Sequence, residues 1–261
     1  MMLGSIELGM LGPPFAAGLL VLASHVLLGR QVLARGIIFI DLAIAQIAGL
    51  GVIVATTLGW EPHGWSMQAI ALGSALLAAL LLTWTERRLP EVQEALIGVL
   101  FILGATGGIL LLAGNPHGGE HLQELLVGQI LWVTYTSLLP TALITLALIA
   151  VWITLRGRPQ RLGFYALFAC AVTVSVQLVG VYLVFASLII PALASRPYPP
   201  AHQLTAAYAT GMLGYALGLL ASAWFDLSAG AIIVWAMAIA ACLCHLIGSG
   251  LSRTKTPVGD A

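Results

Sequence analysis

The basic residues of this chain all fall on one side of a long series of apolar runs, and no other feature restricts its fold as much. The runs cover 11–29, 36–58, 67–84, 95–113, 138–155, 162–179, 180–195, 203–222 and 229–247. A helix needs about 20 apolar residues to cross the hydrocarbon core, so each run is of spanning length or a little short of it. Arg30 and Arg35 follow the first run, Arg87 and Arg88 the third, and Arg156, Arg158 and Arg161 the fifth. Arg196 follows the seventh, and Arg253 and Lys255 the ninth. The alternate connectors, "GWEPHGWS", "GNPHGGEHLQELL" and "WFDLS", hold no Lys or Arg. Cytoplasmic loops are the ones enriched in these residues. The pattern predicts an all-α, polytopic integral membrane protein with its N-terminus outside and its C-terminus in the cytoplasm. It has nine transmembrane helices if every run spans, and eight if the first or seventh does not.

Composition excludes the main alternative. Only 8% of the 261 residues are charged and 60% are hydrophobic, whereas a soluble domain carries roughly 25% charged residues. A soluble bundle could not cover its surface. The net charge of zero argues against nucleic-acid binding, which needs a basic footprint. Cys170, Cys242 and Cys244 form no CxxC pair, so neither a disulfide framework nor a zinc knuckle is expected. No phosphate-binding GxxxxGK[ST] loop occurs, and the single lysine, Lys255, lies in the tail. HExxH and GxSxG motifs are also missing. The expected reading is a transport protein and not an enzyme, with no permanently bound cofactor. "MMLGSIELGM" lacks the basic start of a cleaved signal. Residues 1–250 read as a single transmembrane domain and 251–261 as a polar cytoplasmic tail.

Two regions depart from simple spans. Residues 162–195 form a continuous apolar-rich stretch broken mainly by Gly180. As one straight helix it would reach about 51 Å, too long for one crossing and short for two. Short or bent helices are expected there. "HLQELLVGQILWVT" (121–134) is amphipathic and predicts an outer-face helix or a re-entrant segment. The glycine pairs Gly104/Gly108 and Gly214/Gly218 have the spacing that lets helix backbones approach closely.

Asp41 is the chemical anomaly. It lies inside "GIIFIDLAIAQIAGLG" (36–51), about 9 Å along a helix from Arg35 by rise per residue. Acids within membrane spans face a bundle interior or a wet cavity and mark ion paths. In the outer connectors His117, Glu120, His121 and Glu124 crowd one loop, and Glu61 and His63 another. An acidic, histidine-bearing mouth would attract divalent cations. His117, Glu120 and His121 are therefore candidate outer metal contacts, with a plain polar loop as the competing reading. His202 and His245 sit near the ends of apolar runs and carry no ligand role.

Four stretches occur in a telling order: "RQVLARGIIFIDLAIAQIAGLGV", "EALIGVLFILGATGGILLL", "HLQELLVGQILWVT" and "VQLVGVYLVFASLIIPALASR". With them the chain resembles the membrane permease subunit of the bacterial zinc/manganese-type ABC importers. The resemblance implies a multi-pass protein of the bacterial cytoplasmic (inner) membrane, surrounded by lipid and paired with a second permease copy as a homodimer. It implies cytoplasmic ATPase subunits that bind ATP, and an extracytoplasmic metal-binding protein that delivers zinc or manganese as substrate. It assigns ATPase coupling to "PALASRPYPPAHQ" (191–203), with Pro191, Arg196, Pro199 and His202 as candidate contacts. The competing reading is that Pro197, Pro199 and Pro200 merely end one helix and begin another. The resemblance also assigns Asp41 to the metal path together with a histidine four residues later.

This chain departs from that pattern, because position 45 is Ala45. His25 in the first span and Gln46 are the proposed substitutes. An antiparallel pair of helices flanking Arg30 and Arg35 would bring His25 to the depth of Asp41. The expected function is ATP-driven import of a divalent transition metal by alternating access, zinc first, with manganese or iron as alternatives. Two competing functions are a permease of the cobalamin or iron–siderophore importers, and an ion-coupled secondary carrier that uses Asp41.

Overall fold

The computed structural model describes residues 8–60, 65–115, 118–155 and 161–253. The described residues form helices joined by short turns, with no strand among them. The order is α1 (Leu8–Arg35), α2 (Ile40–Thr57), α3 (Trp65–Arg88), α4 (Gln93–Leu112), α5 (Gly118–Val127), α6 (Tyr135–Leu155), α7 (Arg161–Val179), α8 (Val181–Ala194), α9 (Pro200–Phe225) and α10 (Ala229–Arg253). Short 3-10 turns at Pro90–Val92 and Ile130–Trp132 precede α4 and α6. A lipid core offers backbone groups no hydrogen-bond partner, so helices that satisfy themselves are the expected outcome for such runs. Eight of the described helices are long and apolar enough to span, and α8, with 14 residues, is a shorter apolar helix. The first run is thus a full span, and the seventh is the short one.

Sequence neighbours do not always pack together. α1 lies against α8, α9 and α6, whereas α2 lies against α3 and α4. α1 and α2 do not pack along one another, which corrects the expected antiparallel pair. The cause is local. Gly36 has a φ of 70°, and Ile37–Phe39 form a turn that swings α2 away from α1. α7 packs on α3, and α9 on α10. Apolar side chains such as Leu139, Leu143 and Leu146 on α6 and Leu110 on α4 face outward, as lipid-facing surfaces do.

One end of the bundle collects the arginines. The Arg30 guanidinium donates to Gln203 Oε1 at 3.0 Å, joining α1 to α9. Arg35 stacks over the Phe164 ring at 4.1 Å, joining α1 to the start of α7. Gln93, buried at the start of α4, donates to the Leu82 carbonyl at 3.0 Å and to Tyr165 Oη at 3.4 Å. Trp84 is exposed at this end, and Trp60, Trp132, Tyr135 and Trp224 are exposed near the opposite termini. Amphipathic rings favour the two headgroup levels.

The expected break between 162 and 195 falls at Gly180, whose φ is 80°. It meets Gly128, with a φ of 72°, in the chain that leaves α5. A Cβ on either glycine would run into the backbone of the other segment at Val179–Gly180 or Val127–Gly128. A Cβ on Gly230 would likewise strike the Val127 carbonyl. From Gly180 to the end of α8 the helix rise covers about 21 Å, short of the roughly 30 Å core. α8 alone is therefore too short to cross the core, and the segment after α5 packs against Gly180, which precedes α8. α5 itself begins at Gly118, so Gly118 and Gly119 lie in its first turn.

The glycine contact yields a prediction. Gly128→Ala and Gly180→Ala each lose at least about 2 kcal/mol, from left-handed strain and the clash together. Gly73→Ala, where nothing lies within 4 Å of the added Cβ, is the control and melts with the wild type. Thermal unfolding in detergent reads both.

Candidate metal path

The face of α2 that presents Leu42, Gln46, Gly49 and Ile53 forms one wall of a cleft of about 590 Å³. Its other walls are Gly104 and Gly108 of α4, Leu125 and Leu126 of α5, Phe185 of α8, and Trp235 of α10. The helix geometry explains this set, because residues three, four and seven apart share a face. Gly104 is necessary for the α2–α4 wall, since a Cβ there would come within 2.9 Å of Gln46 Cβ. The cleft is almost entirely apolar, with Gln46 as the polar side chain that α2 gives it.

Asp41 lies one position before this face. It is 1% exposed and does not line the cleft. Neither carboxylate oxygen finds a hydrogen-bond donor. Asp41 lies in the first turn of α2, where the positive end of the helix dipole gives the charge weak support. Ala45, a turn further on, is buried and carries no ligand atom.

His25 is fully buried in α1. Its Nδ1 lies 2.9 Å from the Val21 carbonyl and 3.1 Å from Ser24 Oγ. A carbonyl can only accept, so this geometry assigns the proton to Nδ1 and leaves Nε2 as a bare acceptor. Nε2 has no partner. α1 and α2 share the neighbours α7 and α8 without packing along one another, and no hydrogen bond joins His25 Nε2 to Asp41. The described residues also hold no cluster of three His, Cys, Asp or Glu side chains.

A further acid escaped the sequence reading. Glu94, in the first turn of α4, accepts the Phe39 N–H at 3.2 Å. It caps α2, which has no capping side chain of its own. The other carboxylate oxygen, Oε2, is buried and unpartnered, as is Gln93 Oε1. The unsatisfied atoms of His25, Asp41, Gln93 and Glu94 are thus all acceptors.

The remaining candidates scatter. His117 lies outside the described residues, as do Glu61 and His63. Glu120 is exposed in the first turn of α5, and His121 follows it in the same helix. Pro191 is buried within α8 and does not belong to the connecting turn. Arg196, Pro199 and His202 are exposed beyond it. In that turn Tyr198 Oη donates to the Cys244 carbonyl at 2.9 Å, and Gln203 Nε2 donates to the Tyr198 carbonyl at 3.0 Å. The tail from 254 onward is outside the described residues.

A carboxylate with no donor costs stability. Asp41→Asn removes the charge at constant shape, so it leaves the melting temperature unchanged or raises it, by up to about 3 kcal/mol in stability. A clear drop in thermal unfolding would mean that the carboxylate has a structural partner.

The family model described as the ABC 3 transport family matches residues 8–159 and 154–248. A manganese transport system membrane protein of Halalkalibacterium halodurans is 26% identical over 230 residues, covering 79% of this chain and 76% of the relative. An uncharacterised membrane protein of Synechocystis sp. is 28% identical over 245 residues, covering 86% and 85%. Among solved structures, PsaBC from Streptococcus pneumoniae in complex with Fab aligns with a TM-score of 0.72 at 21% identity, covering 96% of both chains.

Proposed function

The chain belongs to the ABC 3 transport family, and we propose that it is the permease subunit of an ATP-driven importer for a divalent transition metal, zinc first, with manganese or iron as alternatives. One observation carries the choice of cargo. Asp41 holds two buried carboxylate oxygens with no donor, beside a helix face that opens on a cleft. A cation supplies what such oxygens lack. The manganese system relative supports the same class of cargo.

In this reading the metal enters the cleft, meets Gln46, and reaches Asp41 as α2 shifts against α4 and α8. His25 offers a neutral imidazole nitrogen of the kind zinc favours, from a separate helix packing. Two copies in a homodimer would double these acceptors. His117, Glu120 and His121 would receive metal from an extracytoplasmic binding protein at the outer mouth. ATP binding and hydrolysis would take place on separate cytoplasmic subunits that push on the exposed turn around Arg196, Pro199 and His202. The arginine-bearing end of the bundle would then face the cytoplasm of a bacterial inner membrane, with the C-terminus on that side. Alternating access would follow from movement of α8 and its neighbours.

The cleft favours one second reading. Its volume and apolar walls suit a cargo larger than a bare ion, such as a metal enclosed in an organic chelator. Ligand pockets of this size are typically apolar with a few polar groups.

The test is uptake into vesicles that hold the permease with its ATPase subunits. Zinc, manganese and iron are offered bare, and iron is also offered in chelated form. Bare-metal uptake that needs ATP, and falls at least about tenfold in Asp41→Asn, supports the first reading. His25→Ala is measured separately, and normal uptake in both variants refutes the proposed path. ATP-dependent uptake of chelated iron alone selects the second reading, and uptake driven by an ion gradient without ATP refutes both.

A further inference from the structure

Two voids lie in series along α2. The cleft is one, and a groove of about 550 Å³ is the other. Both are lined by Leu42 and Phe101. The groove adds Phe39, which precedes α2 at the arginine-bearing end, and the cleft adds Phe185 of α8. The Phe39 and Phe185 rings stack with centroids 6.2 Å apart and planes 5° from parallel, within the range of attractive aromatic pairs. A stacked pair from two helices thus stands where the two voids adjoin.

We infer that Phe39 and Phe185 form a hydrophobic gate between the cleft and the groove, and that Glu94 is its latch. This rests on the transport reading above and adds a closure to it. Four observations support the gate. The rings come from α8 and from the turn before α2, helices that share little other packing, so a small separation of the two unstacks them. Leu42 and Phe101 complete an apolar constriction, and such constrictions stop ions by excluding water. Phe39 is 46% exposed, so its ring has room to swing into the groove. Glu94 accepts the Phe39 N–H at 3.2 Å, which fixes the backbone that carries the ring. Glu94 touches no cargo in this arrangement. It is a positioning residue that acts through Phe39.

The gate is tested by leak, with the full chain in vesicles loaded with a zinc indicator and ATP omitted. Zinc alone is the first probe and manganese alone the second. Phe39→Ala and Phe185→Ala leak at least about tenfold faster than the wild type, as expected when an apolar constriction is opened. Phe39→Trp keeps a stacking ring and stays tight. Glu94→Gln keeps the side chain's length but weakens the acceptor, and it leaks at an intermediate rate. Phe39→Leu retains apolar volume without a ring, so it replaces Phe39→Ala if that variant does not fold, and it also leaks. Leu143→Ala, on the lipid-facing side of α6, is the control for general loosening. The gate is overturned if no variant at Phe39 or Phe185 leaks faster than the wild type, or if Leu143→Ala leaks equally. Because the leak is read without ATP, it is independent of whether ATP drives uptake in the wild type.

Discussion

The contact between Gly128 and Gly180 is the point on which the cleft depends. Two chain breaks meet there, each in a left-handed conformation that only glycine adopts without strain, and each too close to the other's backbone for any side chain. The cleft walls follow from it. Leu125 and Leu126 come just before one break, and Val181, Tyr182 and Phe185 come just after the other. Non-helical backbone at membrane depth is tolerated only where protein or water surrounds it. Here it is enclosed by α5, α7, α8 and the start of α10. Shortening α8 to 14 residues and turning the chain back beneath α5 are two results of one steric fact.

The interior has an unusual polarity. Apolar helices pack around a small set of unpartnered polar atoms, most of them acceptors: the Asp41 oxygens, His25 Nε2, Gln93 Oε1 and Glu94 Oε2, together with the Thr173 hydroxyl. Other buried polar groups here find partners, as Ser187 does through its bond to the Leu183 carbonyl and its contact with the Tyr215 hydroxyl. The acceptors named above have no such partners. An interior of this kind favours positive charge arriving from outside the fold.

The spans were legible because hydropathy and arginine placement are both read one residue at a time. The break at Gly180 was legible too, because the length of 162–195 left no other arrangement. The neighbours of each helix were not. Adjacency in sequence suggested that α1 and α2 form a hairpin, whereas the turn at Gly36 separates them, and which helix faces fit together is a three-dimensional property. Glu94 was visible only as an acid near the start of an apolar run. Acids there are cheap, so its presence carried little signal until its bond to the Phe39 amide was seen. Pro191 joins the 191–203 loop only through the family resemblance, whereas in the structure it is buried inside α8, which continues to Ala194.

The short turn between α8 and α9 is less free than its exposure suggests. Tyr198 is bonded to the last helix through the Cys244 carbonyl, and Gln203 is bonded to both Tyr198 and Arg30 of the first. A Cβ on Gly248 would also meet the Tyr198 ring, so the ring is seated closely on α10. Any displacement of this turn must either stretch three hydrogen bonds or carry both terminal helices with it. A load applied at its surface is therefore shared by the opposite extremes of the polypeptide before it reaches the middle of the chain.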